Sequence, residues 1–280
     1  MSTTTAMISV RCLGPFTATL GKREIGPWRA GKARGLFQFL LVNRGRPVPR
    51  DKLHDVLWPQ APWSPGSSSL KVAVHGVRQI LAGTGADSAS TAEIRFDDRG
   101  YRFQADDIWV DVEEFESAMD LAAVRAAGGD RDGALRLYRR AAELHQGDFL
   151  EGEAADWVVE HRGWIQAKAL RGLTSLRDDA HARSDLAEVI LWCRRILRID
   201  PYHEATYRML MLTHGQLGEL GQVRSWHAIC VRRLREDLAV EPQPETDLVL
   251  RRFLGARRRG APAEIQPLGN WRHRVRVPAC

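Results

Sequence analysis

Hydrophobic and polar positions change period along this chain. From Ile8 they alternate: Ile8, Val10 and Cys12 are separated by Ser9 and Arg11, and Phe16, Ala18 and Leu20 by Thr17 and Thr19. A period of two puts every second side chain on one face of a strand. Gly14-Pro15 and Gly21-Lys22 punctuate these runs, and Arg23-Glu24-Ile25 follows, which predicts a small antiparallel sheet. From Lys32 the period becomes helical. Leu36, Phe37, Leu40 and Leu41 share a face until Asn43-Arg44-Gly45 ends the helix. A second helix starts at Pro49, where a missing N–H costs nothing, carries Leu53, Val56 and Leu57 inward, and stops at Pro59. After a proline-rich loop from Trp58 to Gly66, Ser67-Ser68-Ser69 offers an N-cap to a third helix. That helix buries Leu70, Val74, Val77 and Leu81 and shows Ser68, Lys71, His75 and Arg78 on its other side. A hairpin closes the segment: Ile94 and Phe96 alternate, Asp97-Asp98-Arg99-Gly100 turns, and Tyr101 and Phe103 return.

Beyond residue 110 the period is helical almost throughout. Phe115, Ala118, Met119 and Ala122 mark one helix, Ala134, Leu137, Tyr138 and Ala141 the next, and Tyr207, Leu210, Met211, His214 and Leu217 another. Gly128-Gly129, Asp200-Pro201 and the stretch from Gly218 to Gly221 break them. Leu186, Val189 and Trp192 recur 34 residues later as Leu220, Val223 and Trp226, the period of tetratricopeptide repeats. Helix pairs of this kind bury their apolar faces by stacking and leave a concave groove that mostly binds proteins. A plain helical bundle is the alternative. Trp192 and Trp226 read as core, and His214, on an apolar face, as a satisfied core histidine rather than a metal ligand.

The 280 residues suit two modest domains. No apolar run approaches the ~20 residues that a membrane-spanning helix needs. Met1 to Ala6 lacks the charge and apolar block of a secretory signal. Cys12, Cys193, Cys230 and Cys280 form no CxxC pair, so a disulfide framework or zinc site has little support, and a cytoplasmic location is expected. The net charge of +6 hides an asymmetry. Residues 1–105 carry 15 Lys and Arg against 7 Asp and Glu, a net of +8; residues 106–255 carry 20 against 27, a net of −7; residues 256–280 carry 6 against 1, a net of +5. A polyanion partner is therefore expected for the first domain and not the second.

Helix, helix, polar-faced helix and β-hairpin is the order of a winged helix-turn-helix. One helix fits the major groove of double-stranded DNA, where each base pair shows a distinct set of donors and acceptors. Lys71, His75 and Arg78 are placed to meet base edges or phosphates, and Arg99 and Arg102 on the wing to reach the neighbouring backbone. The bland alternative is that these cations only solvate an exposed face. Gly26 to Ala33 has the spacing of a phosphate-binding loop, but Ala33 lacks the hydroxyl, Pro27 lacks an N–H and Trp28 crowds the turn. Asp97-Asp98 sits in a turn and Glu113-Glu114 on a solvated helix start, so catalysis has no evident home and no cofactor or metal is expected. The tail from Ala256, with Arg257-Arg258-Arg259, reads as disordered and basic.

Gly31-Lys32-Ala33-Arg34, the run Leu36 to Leu41, Gly45 to Leu53 and Val56-Leu57-Trp58-Pro59 together resemble the DNA-binding domain of the Streptomyces antibiotic regulatory protein family. Ser69 to Val74 and Val77-Arg78 are similar to that family's recognition helix. Ile108 to Phe115 resembles the opening of the bacterial transcriptional activation domain, as do Gly147-Asp148-Phe149-Leu150 with Trp157, Asp200-Pro201-Tyr202, and Val240 to Thr246. The resemblance implies an α+β chain: an OmpR/PhoB-type winged helix-turn-helix over residues 8–105, a tetratricopeptide-like activation domain over 111–255, and a tail over 256–280. It implies that Ser68, Lys71, His75 and Arg78 face DNA, with the wing at Arg99 and Arg102. It also implies a non-enzymatic activator that binds direct repeats near promoters as a homodimer and contacts RNA polymerase, for which the loop at Trp63 is a candidate surface. Gly76 departs from the family, standing where a basic residue is usual, and favours the rival reading of an interaction scaffold with a degenerate DNA-binding domain.

Overall fold

The computed structural model describes residues 8–21, 23–28, 32–62, 64, 68–82 and 92–255. The chain divides into two compact units, Met1–Leu176 and Arg177–Cys280.

In the first unit, β1 (Ile8–Arg11), β2 (Thr17–Leu20) and β3 (Arg23–Glu24) form the expected antiparallel array, with Val10 opposite Ala18 and Thr19 opposite Glu24. Then come α1 (Ala33–Val42), α2 (Arg50–Leu57), α3 (Ser69–Ala82), and the hairpin β4 (Glu93–Asp97) and β5 (Gly100–Gln104). The expectation of a purely antiparallel sheet needs correcting. A sixth strand, β6 (Ile108–Val110), joins the far side of β1 in parallel, giving the order β3-β2-β1-β6. The cause lies one residue on. Asp111 opens α4 (Asp111–Ala127), and its buried carboxylate accepts the N–H groups of Cys12 (2.7 Å) and Leu13 (3.0 Å). Two amides that leave the sheet at the end of β1 are thereby satisfied, and β6 is held alongside. Burial raises the Asp111 pKa, an effect opposed by those two amides. Further on, Leu150 N–H donates to Cys12 O at 2.7 Å, and Leu13 bridges to Phe149. The segment after residue 105 is thus stitched to the first strand, and α4, α5 (Arg131–Leu144) and most of α6 (Asp156–Ala182) belong to the same compact unit.

The three-helix segment has the core that its periodicity predicts, except that Val56 is only half-buried and the polar His54 takes a buried place on α2. Leu36, Phe37, Leu40, Leu53, Leu57, Leu70, Val74 and Val77 are all buried, and Phe37 meets Phe103 edge-on with ring centres 5.3 Å apart. The hairpin is tied to the segment before α2 by paired backbone bonds, Val48 N–H to Tyr101 O (2.7 Å) and Tyr101 N–H to Val48 O (2.9 Å). Gly100 makes this approach possible. Its φ is +134°, and a Cβ there would lie 2.1 Å from Val48 O.

The second unit holds α7 (Leu186–Ile199), α8 (Glu204–Gln216), α9 (Leu220–Leu238) and α10 (Pro244–Gly255). α7 and α9 start 34 residues apart, as the echo predicts. Val189 and Val223 are fully buried, Trp192 is buried and Trp226 half-buried. Asp185 caps α7 by accepting Glu188 N–H at 3.0 Å, and Tyr207 O–H ties α8 to the preceding turn at Pro201 O (2.8 Å). His214 is buried and lies 2.6 Å from the Glu219 carboxylate through Nδ1, but its Nε2 is buried with no hydrogen-bond partner among the described residues. The reading of a satisfied histidine holds for one ring nitrogen only. Leu217 falls just past the end of α8 and is exposed, not on its buried face. Among the described residues no helix is long and apolar enough to cross a membrane.

Candidate nucleic-acid interface

α3 packs on α1, α2 and β4 through Leu70, Ala73, Val74, Val77 and Leu81. At about 100° per residue, the direction opposite this stripe falls among Ser68, Val72, His75 and Gln79, all exposed. Lys71 is exposed on one flank of the face. Lys71 and His75 have no ion pair or hydrogen bond among the described residues, so both side chains are available to a partner.

Arg78 is exposed on the same flank and has a tie that the sequence does not announce. Its Nε (3.1 Å) and Nη2 (2.7 Å) both donate to Ile94 O on β4. The guanidinium has further donors to offer, and these two bonds make it a strut between α3 and the hairpin. Arg99 sits exposed in the hairpin turn, where its backbone N–H donates to Asp97 Oδ1 at 2.9 Å. Arg102 is not displayed as expected. Its Nη2 lies 3.0 Å from Asp97 Oδ2, and only 21% of its side chain is exposed. Asp97 thus holds both the turn and the one arginine that β5 offers. Arg95 is likewise opposed by Glu93 at 2.5 Å. Of the six residues expected at DNA, Ser68, Lys71 and His75 share the open part of α3. Arg78 joins the two elements, Arg99 marks the turn, and Arg102 is neutralised. Trp63 lies outside the described residues.

Two exposed positions were missed. Val72 and Gln79 lie at the centre of the face, and the spacing that finds the buried stripe also finds them, as i+4 and i+11 from Ser68. Sequence reading sought polar and basic side chains, which passed over a valine. Arg50, at the start of α2, is a further cation nearby, with its guanidinium carbon 4.3 Å from the centre of the half-exposed Phe96 ring. No periodic pattern signals that contact. Gly76 is half-buried on the flank of α3 opposite Lys71, where a Cβ would meet Ala33 of α1 at 3.5 Å, ordinary van der Waals contact. A group of three or more metal-ligating side chains does not occur among the described residues.

Residues 110–254 match the family described as bacterial transcriptional activator domain. The transcriptional regulatory protein MoaR1 of Mycobacterium tuberculosis is 24% identical over 255 residues, covering 87% of this chain and 78% of the relative. The transcriptional regulator RedD of Streptomyces coelicolor is 24% identical over 241 residues, covering 84% and 67%. Among solved structures, Mycobacterium tuberculosis EmbR, in complex with a low-affinity phosphopeptide, superposes with a TM-score of 0.65 at 22% identity, covering 90% of this chain and 66% of that one. At that identity the likeness speaks for the fold, including a tetratricopeptide-like helical part.

Proposed function

This chain belongs to the bacterial transcriptional activator domain family, as the match over 110–254 shows and as the resemblance to Streptomyces antibiotic regulatory proteins predicts; from that premise we propose that residues 8–105 are a winged helix-turn-helix that binds double-stranded DNA sequence-specifically. α3 is the helix that enters the major groove and the β4–β5 hairpin is the wing. Lys71 and His75 meet bases or phosphates, Ser68 meets the backbone at the start of the helix, and Arg99 reaches the adjoining phosphates. Arg78 sets the angle between helix and wing and turns its remaining donors to the backbone. The helical region 111–255 carries the protein contacts. The protein acts in the cytoplasm as a non-enzymatic activator, as side-by-side copies on direct repeats, in contact with RNA polymerase.

One observation carries this reading: α3 presents an outward face whose Lys71 and His75 have no partner among the described residues, while its opposite face is fully packed. A solvated surface helix in a protein of this kind usually gains from pairing its cations with carboxylates three or four residues away, and α3 contains no Asp or Glu. The scaffold alternative rests on Gly76, which leaves the flank beside Val72 and His75 without a side chain but leaves Lys71 and His75 in place. Selection of bound sequences from random DNA with the full chain tests the proposal. A recovered motif, with repeat spacing, is expected. Binding to all sequences alike that disappears in ordinary competitor DNA would reject it.

A further inference from the structure

We propose that Val72 is a specificity-determining residue that reads the C5 methyl group of a thymine. The inference rests on the DNA-binding reading above and names what one position recognises. Val72 is 68% exposed, with Val124 the most exposed of the large apolar side chains among the described residues, and it stands in the first turn of α3 at the middle of the outward face. A single exposed apolar residue is ordinary on a protein surface. This one is not placed as an ordinary one. Valine is a poorer helix former than the long polar residues that usually fill solvent positions. It is flanked by two unopposed polar side chains, Lys71 just before it and His75 three residues on. It also lies in the N-terminal part of the helix, the part that approaches base edges in helix-turn-helix complexes.

The chemistry selects the target. The major groove shows donors and acceptors on every base pair but only one apolar group, the thymine methyl. A valine cannot donate or accept a hydrogen bond, so against any other base edge it would strip water from a polar group and give nothing back. Against a methyl it removes apolar surface from water. Branching at Cβ restricts Val72 essentially to one χ1 well in a helix, so its two methyl groups have a fixed direction and little conformational entropy is lost on contact. Lys71 and His75 then register the helix, and Val72 discriminates thymine from cytosine at one step.

Deoxyuridine provides the test, because it pairs as thymine does and lacks only the methyl group. The full chain and its Val72→Ala variant are titrated against the duplex recovered by selection from random DNA, and against copies in which each thymine in turn is replaced by deoxyuridine. At one position per half-site, replacement should weaken the unaltered protein about fourfold, the equivalent of ~0.8 kcal/mol for one buried carbon, and should leave Val72→Ala unaffected. Replacements that act equally on both proteins at every position would overturn the inference while leaving sequence-specific binding intact. Failure to recover any preferred sequence would overturn the DNA-binding reading itself, and this inference with it. Because Val72 is exposed, the variant should melt with the unaltered protein, and matching melting curves show that a lost coupling is not a lost fold.

Discussion

α3 and the β4–β5 hairpin are neighbours, both carry arginine or lysine, and, Arg78 and Arg99 apart, they treat that charge in opposite ways. On α3, Lys71 and His75 project from a helix that has no carboxylate of its own. On the hairpin, Arg95 and Arg102 are each matched by a carboxylate of β4, Glu93 and Asp97. The helical half follows the hairpin: Arg125, Arg183, Arg208 and Arg235 each hold an acidic partner. Net charge per domain, which points to a basic first domain, does not distinguish these cases. A cation engaged by a neighbour contributes to local geometry, and one that is unopposed contributes to a field a polyanion can feel. The interface is therefore narrower than a count of basic residues suggests.

The largest expected effect breaks the attachment of the hairpin. Gly100→Ala forces a side chain onto Val48 O in a left-handed backbone region. A loss of roughly 3 kcal/mol in stability is expected from the combined strain and overlap. Chemical denaturation would show it, and near-unchanged stability would mean that the hairpin has room to move away from Val48, weakening the claim that helix and hairpin form one rigid surface.

Next in size is the variant carrying both Lys71→Ala and His75→Ala. Each removed contact is expected to cost about 1 kcal/mol or more, so affinity for the selected duplex should fall at least about thirtyfold. Melting should be unchanged, because both side chains are exposed. Arg102→Ala is the counterpart on the hairpin and should change affinity by no more than about twofold, since it removes a largely neutralised charge. Equal losses from the two variants would erase the distinction between the two elements.

Much of this was legible in the sequence, and what was not has a pattern. The buried stripe of α3, the hairpin turn at Asp97 to Gly100 and the 34-residue recurrence of α7 in α9 all come from local periodicity, which one segment reports about itself. β6 does not. Three residues, Ile108 to Val110, carry too little alternation to announce a strand, and their place is fixed by Asp111 accepting amides of Cys12 and Leu13 nearly a hundred positions earlier. Arg78 has a tie that is invisible to periodicity for the same reason. Its helical position is outward, but the carbonyl that claims it belongs to Ile94 on another element. Val72 was legible by position and was passed over on grounds of chemistry.

Arg78 sharpens the comparison because it belongs to both elements. Arg78→Ala removes two charge-assisted bonds to Ile94 O, and a stability loss of roughly 1.5 kcal/mol is expected. Arg78→Lys should recover only part of it, since a single ammonium replaces a planar fork. If Arg78→Ala weakened DNA binding strongly while melting normally, the donors that Arg78 does not spend on Ile94 O would be its main contribution, and the strut would matter little to stability.

The smallest effect has the opposite sign. Gly76→Ala adds a methyl group that meets Ala33 at van der Waals distance, within a helix where glycine is the poorest residue after proline. A gain of about 0.5–1 kcal/mol is expected, a rise of a few degrees in Tm for a protein of this size. DNA affinity should not change, because the added methyl group rests against Ala33 of α1 and is too short to reach across the flank. A drop in affinity without loss of stability would show that the backbone at Gly76 comes close to DNA, and that the absent side chain is a requirement of the interface. An unchanged affinity with a higher Tm would instead make Gly76 a packing position between α1 and α3, and would leave the DNA-facing surface defined by Ser68, Lys71, Val72 and His75.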